Sequence, residues 1–505
     1  MSDPYGLAMI VVVCVTTLGL GIFGMRLSRA TSDFYVAGRA VGPVRNASAI
    51  GGEYLSAASF LGVAGLVYDG GVDLLWFPVG YTVGYVVLLV LVAAPLRRSG
   101  AYTLPDFAEA RLESRSLRLL CSGLVIGIGS LYLLPQLQGA GIALRHVTGA
   151  PPWVGGLVVA LIVGMNVAGG GMRSITLVQA LQYWFKLTAI AVPAFVLLWV
   201  WWRSGAPDPV GEPAGWDEPM WGFGANDHPL YTTWSTLLAL SLGTMGLPHV
   251  VVRFYTNPDG RAARRTTVVV LALLGLFYVF PPLYGWLGRV YLPGGARAGA
   301  ADTIVLDLPT AVLDGTSGQL LGALLAGGAF AAFLSTASGL VMSVAGVIDQ
   351  DVLRPRLSRL TKGDASGVQS FRLSTVLAVV GPYALSRLVE PLGIATTVGL
   401  AFAVAAATFA PLLILGVWWP RLSTTGAAAG LVLGGGAATS AVIATISLDD
   451  RTGWLGALLE HPALWTTPLA FAAAILVSLA TPGRIPRHTR ATLSRLHSPE
   501  RLRSR

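Results

Sequence analysis

The stretch Gly51-Gly52-Glu53-Tyr54-Leu55-Ser56-Ala57-Ala58-Ser59-Phe60-Leu61-Gly62 lies inside an otherwise apolar run of membrane length. Two adjacent glycines weaken a helix, and a carboxylate at bilayer depth is costly. Small hydroxylated residues follow at once. A membrane-spanning chain tolerates this combination where a helix is broken around a binding site, because the freed backbone groups then face protein or water instead of lipid. The segment therefore predicts a discontinuous helix holding an ion or solute at mid-membrane depth.

The rest of the chain agrees with a membrane setting. Its 505 residues are 54% hydrophobic and 12% charged, with mean hydropathy +0.67. Soluble domains carry roughly 25% charged residues. Apolar runs of about 20 residues recur from end to end, which predicts an all-α integral membrane protein. The short-period alternation of a transmembrane β-barrel is absent. The first run, Tyr5 to Met25, has Asp3 and no basic cluster before it and no small-residue cleavage site after it. It reads as a retained helix. Cys14 and Cys121 sit in apolar runs and read as small buried hydrophobes.

About 13 spans are expected, near 5–26, 46–67, 74–96, 119–145, 153–169, 176–202, 231–255, 266–288, 318–346, 372–388, 393–417, 424–447 and 463–481. Basic residues gather in alternate loops: Arg26, Arg29, Arg39 and Arg45; Arg97, Arg98, Arg111, Arg115 and Arg118; Arg261, Arg264 and Arg265; Arg354, Arg356, Arg359 and Lys362. The tail adds Arg484, Arg487, Arg490, Arg495, Arg501, Arg503 and Arg505. The opposite loops hold Asp208, Glu212, Asp217, Glu218, Asp227, Asp302, Asp449 and Asp450. This asymmetry places the N-terminus outside and the tail in the cytoplasm. The Arg-rich tail, residues 482–505, reads as a disordered segment lying against anionic lipid, with no nucleic-acid partner. Trp76, Trp201, Trp202, Trp216, Trp221, Trp418 and Trp419 read as aromatic belts.

A second helix-breaking signal, Gly243-Thr244-Met245-Gly246-Leu247-Pro248, falls five spans after the first. An odd offset makes the second copy enter the membrane from the opposite side. That is the pattern of two inverted five-helix repeats with broken first helices, spanning about 46–202 and 231–417. The expected organisation is an extra N-terminal helix (1–30), a transport core (31–417), two further helices (418–481) and the basic tail (482–505).

A sodium ion needs about five or six hard oxygen ligands. Carbonyls freed at a break can supply some, and hydroxyls on a facing helix the rest. The ninth span carries Ala332, Ser335 and Thr336, with Ala332 and Ser335 on one face. Membrane hydroxyls commonly bond back to their own backbone, so this pattern gains meaning only from its companions.

Those companions are specific. The chain resembles the sodium/solute symporter family over about residues 31–440, through Ser32-Asp33-Phe34-Tyr35-Val36-Ala37-Gly38-Arg39, Gly71 to Phe77, Tyr102-Thr103-Leu104-Pro105-Asp106-Phe107 and Gly169-Gly170-Gly171-Met172. Gly246-Leu247-Pro248-His249-Val250-Val251-Val252-Arg253-Phe254, Val398-Gly399-Leu400-Ala401-Phe402-Ala403 and Ser56 to Gly62 resemble its acetate-permease branch, which carries short monocarboxylates. The resemblance implies sodium-coupled uptake by alternating access across a bacterial plasma membrane. It implies a sodium site at Gly52, Leu55, Ala332, Ser335 and Thr336. The acidic residue that proline carriers have beside the second carbonyl is Tyr54 here, which argues against proline. A sodium- or proton-coupled symporter of another small solute is the alternative.

Free N–H groups at a half-helix N-terminus suit a carboxylate, and one such half-helix begins at Ser56. The expected solute site comprises Glu53, Tyr54, Ser56, Ala57, Ser59, Ser241, Thr244, Met245 and Gly246, with Thr244 and Met245 at the family's gate positions. Glu53 reads either as a functional carboxylate or as one paired with Lys186 or Arg253; Lys186 reads as snorkelling or carboxylate-paired; His249 reads as a cap on freed carbonyls. The scattered histidines, with no His-Glu-x-x-His and no Gly-x-Ser-x-Gly, argue against an enzyme. The short stretch after the last span argues against a fused sensor module, and no repeated filter suggests a channel. The oligomeric state is left open.

Overall fold

Glycine and proline divide the apolar runs into helices at defined points. A computed structural model describes residues 3–25, 36–211, 216–218, 228–293, 301–360, 367–389, 392–448 and 452–499. Outside the described residues lie Arg26, Arg29, Ser32, Asp33, Phe34, Tyr35, Glu212, Trp221, Asp227, Lys362, Asp449, Asp450, Arg501, Arg503 and Arg505. Among the described residues the secondary structure is helical throughout.

The first helix, α1, spans Pro4–Met25. The next apolar run is split: α2 (Pro43–Tyr54), a π-helical turn (Ala58–Gly62) and α3 (Val63–Gly70). Then follow α4 (Trp76–Leu91), the short amphipathic α5 (Leu104–Leu112), α6 (Arg115–Thr148) and α7 (Pro152–Arg203). The second half contains α8 (Pro229–Gly246), α9 (Pro248–Val252), α10 (Gly260–Tyr278), α11 (Phe280–Tyr291), α12 (Ile304–Val312), α13 (Gly315–Val347), α14 (Gly367–Ser386) and α15 (Ile394–Ala406). After it come α16 (Phe409–Trp418), α17 (Thr424–Ser447), α18 (Ala463–Ala480) and α19 (Thr489–His497).

Local signals account for many boundaries. Proline opens α2, α7, α8 and α9, where its missing N–H costs nothing. Thr103 and Asp106 form a reciprocal cap on α5, and Ser114 caps α6. Gly171, at φ 57° and ψ −160°, breaks the 52-residue α7 run internally.

Among the described residues, nine helices are long and apolar enough to cross a membrane, ten with the bent pair α8 and Pro248–Thr256. The expected thirteen are not reached by this count. By length, 46–67 joins 74–96 in the run Ala58–Leu91, 153–169 joins 176–202, and 372–388 is not among the helices counted.

The packing is pseudo-symmetric. The first helix of each half lies on the last: α2 on α7, and α8 on α15. Across the halves, α4 packs on α8 and α10 on α2. Helix α13 packs against α7, α6 and α1, and its apolar window is entirely buried.

Two peripheral expectations are corrected. The tail forms α19, with Leu496 only 1% exposed and Thr489 Oγ1 accepting from Arg111 at 3.2 Å. A buried leucine and backbone contacts to Arg98 dock it on the protein instead of leaving it free. Trp216 is not a belt residue: it is buried, and its indole N–H donates to the Val67 carbonyl at 3.1 Å.

Candidate transport site at the helix breaks

Helix α2 ends because Leu55 leaves the helical region, at φ −72° and ψ 82°. Helix α8 ends the same way at Leu247, φ −74° and ψ 119°, before Pro248 restarts the chain with a 40° bend. A glycine at each break permits close approach. A Cβ on Gly52 would stand 2.1 Å from the Gln179 carbonyl of α7, and one on Gly246 would stand 2.4 Å from the Ala405 carbonyl of α15. Both first helices thus touch their last-helix partners backbone to backbone, which opposes any side chain there.

At the first break the freed carbonyls converge on one atom. The Lys186 ammonium of α7 donates to the Gly52 carbonyl at 2.5 Å, to the Leu55 carbonyl at 2.7 Å and to Ser335 Oγ at 3.1 Å. Ser335 Oγ in turn donates to the Ala332 carbonyl at 3.0 Å, and Thr336 Oγ1 donates to the Glu53 carbonyl at 2.5 Å. The structure therefore gathers Gly52, Leu55 and Ser335 around Lys186, leaves the Ala332 carbonyl bonded to the Ser335 hydroxyl, and turns Thr336 to the Glu53 carbonyl. The cation they surround belongs to the protein. Lys186 neither snorkels nor pairs with a carboxylate, because it is fully buried and its bonds go to carbonyls and a hydroxyl. Its signal in the sequence is the stripe Thr176, Gln179, Tyr183 and Lys186, at helical spacing on one face of α7.

Glu53 takes the other reading. Its Oε2 accepts from Arg253 Nε at 2.5 Å, with both side chains buried. Arg253 also donates to Thr176 Oγ1 at 2.8 Å and to Gln179 Oε1, and Gln179 Nε2 donates to the Ser335 carbonyl at 2.7 Å. One network thus joins α2, α7, α13 and the segment after the second break. A buried pair of this kind needs such additional bonds to offset its desolvation.

The expected solute residues form a second cluster beside this shell. Tyr54 Oη and Thr244 Oγ1 are 2.8 Å apart, and Ser59 Oγ lies 2.8 Å from Tyr278 Oη. Tyr132 Oη donates to Ser56 Oγ at 3.4 Å, and the Ala57 N–H donates to Gln136 Oε1 at 3.1 Å. Met245 and Gly246 are buried at the second break. Ser241 is half-buried and joins none of these bonds. Tyr81, Tyr132 and Phe402 pack edge to face around the cluster. His249 does not cap carbonyls: neither ring nitrogen has a hydrogen-bond partner among the described residues, and the ring lies 5.2 Å from that of Tyr132. Tyr81 Oη, Tyr85 Oη and Gln136 Nε2 are likewise buried without a partner. Sequence reasoning missed Tyr81, Tyr132, Gln136 and Tyr278, which carry no local signal beyond an ordinary apolar helix.

A family model described as "Sodium:solute symporter family" matches residues 34–434. The chain belongs to the sodium:solute symporter family. It is 31% identical over 473 residues to the "Uncharacterized symporter YwcA" of Bacillus subtilis (strain 168), covering 91% of each chain. Its fold is that of a Na+-coupled sialic acid symporter in a substrate-bound outward-open state, with a TM-score of 0.72 at 16% identity over 94% of this chain and 97% of that one. It is also similar to Mhp1, a nucleobase-cation-symport-1 family transporter in a closed conformation, with a TM-score of 0.58 at 14% identity over 92% and 99%. This family member is a multi-pass membrane transporter and not an enzyme. Membership supports sodium as the coupling ion. The shell at Gly52 and Leu55 does not fit that ion beside Lys186, since its carbonyls and the Ser335 hydroxyl already accept from the ammonium.

Proposed function

We propose that this symporter carries a small organic monoanion, a short monocarboxylate such as acetate, propionate or pyruvate, into a bacterial cell by alternating access. The N-terminus lies outside and the tail in the cytoplasm, as the loop charges require. One observation carries the solute assignment: the buried centre holds two basic side chains, Lys186 and Arg253, against one carboxylate, Glu53. An anion beside them balances the remaining positive charge, which a neutral or cationic solute would not.

The unpartnered groups support the same reading. Gln136 Nε2, Tyr81 Oη and His249 offer donors within an aromatic cluster next to the half-helix that begins after Leu55. A carboxylate accepts several such bonds, and a short apolar tail suits the rings of Tyr81, Tyr132 and Phe402. A cavity of about 280 Å³ lined by Leu74, Phe77, Leu240, Gly399, Ala403 and His461 supplies an approach at one end, and Phe77 packs on Tyr81.

The test is counterflow exchange in proteoliposomes, which reads the solute independently of any driving ion. Labelled pyruvate is expected to exchange, with acetate and propionate competing and proline and glucose inert. Exchange that no monocarboxylate inhibits discards the solute assignment and leaves family membership untouched.

A further inference from the structure

We infer that Lys186 replaces the sodium ion at the first helix break: its tethered ammonium is the resident cation there, and any coupling ion binds elsewhere. This rests on the symporter reading above and adds to it the occupant of the ion position.

Three features carry the argument. The acceptors are those a cation site would use, two carbonyls freed where α2 ends and a hydroxyl of α13. The carbonyl end of a helix carries partial negative charge and favours a cation.

The donor count matches a charged lysine. Ser335 spends its single proton on the Ala332 carbonyl, so it can only accept from Lys186. Lys186 then donates three bonds, to Gly52, Leu55 and Ser335, and only an ammonium has three N–H groups.

Finally, among the described residues no carboxylate is paired with the lysine. The side chain of Glu53 is held by Arg253, while Thr336 and Gln179 take the adjacent carbonyls of Glu53 and Ser335. A sodium ion entering this shell would meet a fixed like charge at contact distance and would have to displace donors already in place. The site is thus a lysine-filled version of an ion site, with the ion's charge built into α7.

The experiment compares wild type with Lys186→Ala and Ser335→Ala, using sodium chloride against potassium chloride as the probe. One readout is thermal stability of the purified full chain in detergent. The other is pyruvate counterflow. Wild type is expected to show no sodium-specific stabilisation that depends on Ser335. Lys186→Ala is expected to lose exchange in sodium-free buffer by about tenfold or more, the size set by leaving buried acceptors without a donor. Added sodium, not potassium, is expected to restore part of that loss and to stabilise the variant.

Sodium-specific stabilisation of wild type that disappears in Ser335→Ala would overturn the inference, because the ion then binds where Lys186 lies. So would Lys186→Ala that folds, exchanges normally and ignores sodium. If no monocarboxylate exchanges even in wild type, the solute assignment fails, and the stability measurement still decides the occupant of the shell.

Discussion

Tyr54 and Thr244 join the two helix breaks: their hydroxyls are 2.8 Å apart, in residues separated by 190 positions. Tyr54 closes α2, and Thr244 lies in the last turn of α8. The bond therefore links the first helices of the two inverted repeats at the point where each unwinds. The Thr244 proton goes to the Leu240 carbonyl at 2.7 Å, so Tyr54 Oη is the donor to Thr244 Oγ1.

Tyr54→Phe and Thr244→Val should each cost about 1 kcal/mol of stability, as the net loss of one buried hydrogen bond predicts. Because the two residues share that bond, their effects should not add. A double-mutant cycle on thermal unfolding should give a coupling energy of about 1 kcal/mol. Strict additivity would show that the bond does not hold the breaks together. Both variants should also weaken half-saturation for the solute more than they slow exchange, because they loosen the site without removing a charge.

The Glu53–Arg253 pair predicts an asymmetry between single and double variants. Glu53→Leu alone leaves Arg253 buried beside Thr176 and Gln179 without its carboxylate, and should cost about 3–5 kcal/mol. Arg253→Met alone strands Glu53 and should cost a similar amount. The combination Glu53→Leu with Arg253→Met should recover a large part of the loss. Yield and melting temperature in detergent check this; a double variant as unstable as the sum of the singles contradicts it.

Gly339 on α13 makes room for this same carboxylate, since a Cβ there would stand 1.9 Å from Glu53 Oε1. Gly339→Ala should push Glu53 off Arg253 and reproduce most of the Glu53→Leu instability. Among the described residues, nothing beyond its own helical backbone lies within 4 Å of a Cβ added to Gly123 on α6. Gly123→Ala should be neutral, or stabilising by up to about 1 kcal/mol through helix propensity. The contrast separates a packing requirement from a general dislike of larger residues in membrane helices.

His461 predicts a pH dependence at the cavity end of the molecule. It lies between α17 and α18, and its Nδ1 is 3.1 Å from Thr236 Oγ1 of α8. Burial pulls the imidazole down from 6.5 to about 4. A depressed histidine favours the neutral ring in the folded state. Its contribution is therefore complete above pH 6.5 and is lost as the pH falls toward about 4. The melting temperature of wild type should decline across that window, and His461→Gln should flatten the decline. An unchanged slope in the variant would assign the pH response to other groups.

Much of the architecture was legible in the chain itself. Apolar runs, proline at helix starts and the paired signals Gly51-Gly52 and Gly243–Pro248 are local properties, set by backbone geometry and hydropathy. They located both breaks, and the odd offset between them implied the inverted repeat that the packing of α2 on α7 and α8 on α15 displays. The expected spans 153–169 and 176–202 fall on either side of Gly171, where α7 breaks, although by length they count as one run.

The site divides along the same line. The sequence by itself determined where a helix breaks, at Gly51-Gly52, and the family resemblance implied that the Gly52 and Leu55 carbonyls face hydroxyls on Ser335 and Thr336. Only the tertiary structure decided what those oxygens hold. Lys186 is 134 residues from Gly52, and its spacing is equally compatible with snorkelling, a carboxylate partner or the shell it fills. Glu53 likewise had two cations within reach by pattern and took Arg253, 200 residues away. Helix breaks follow from the few bonds along the chain, but the partner of a buried charge depends on which helices meet in three dimensions and on the donors and acceptors left over when they do.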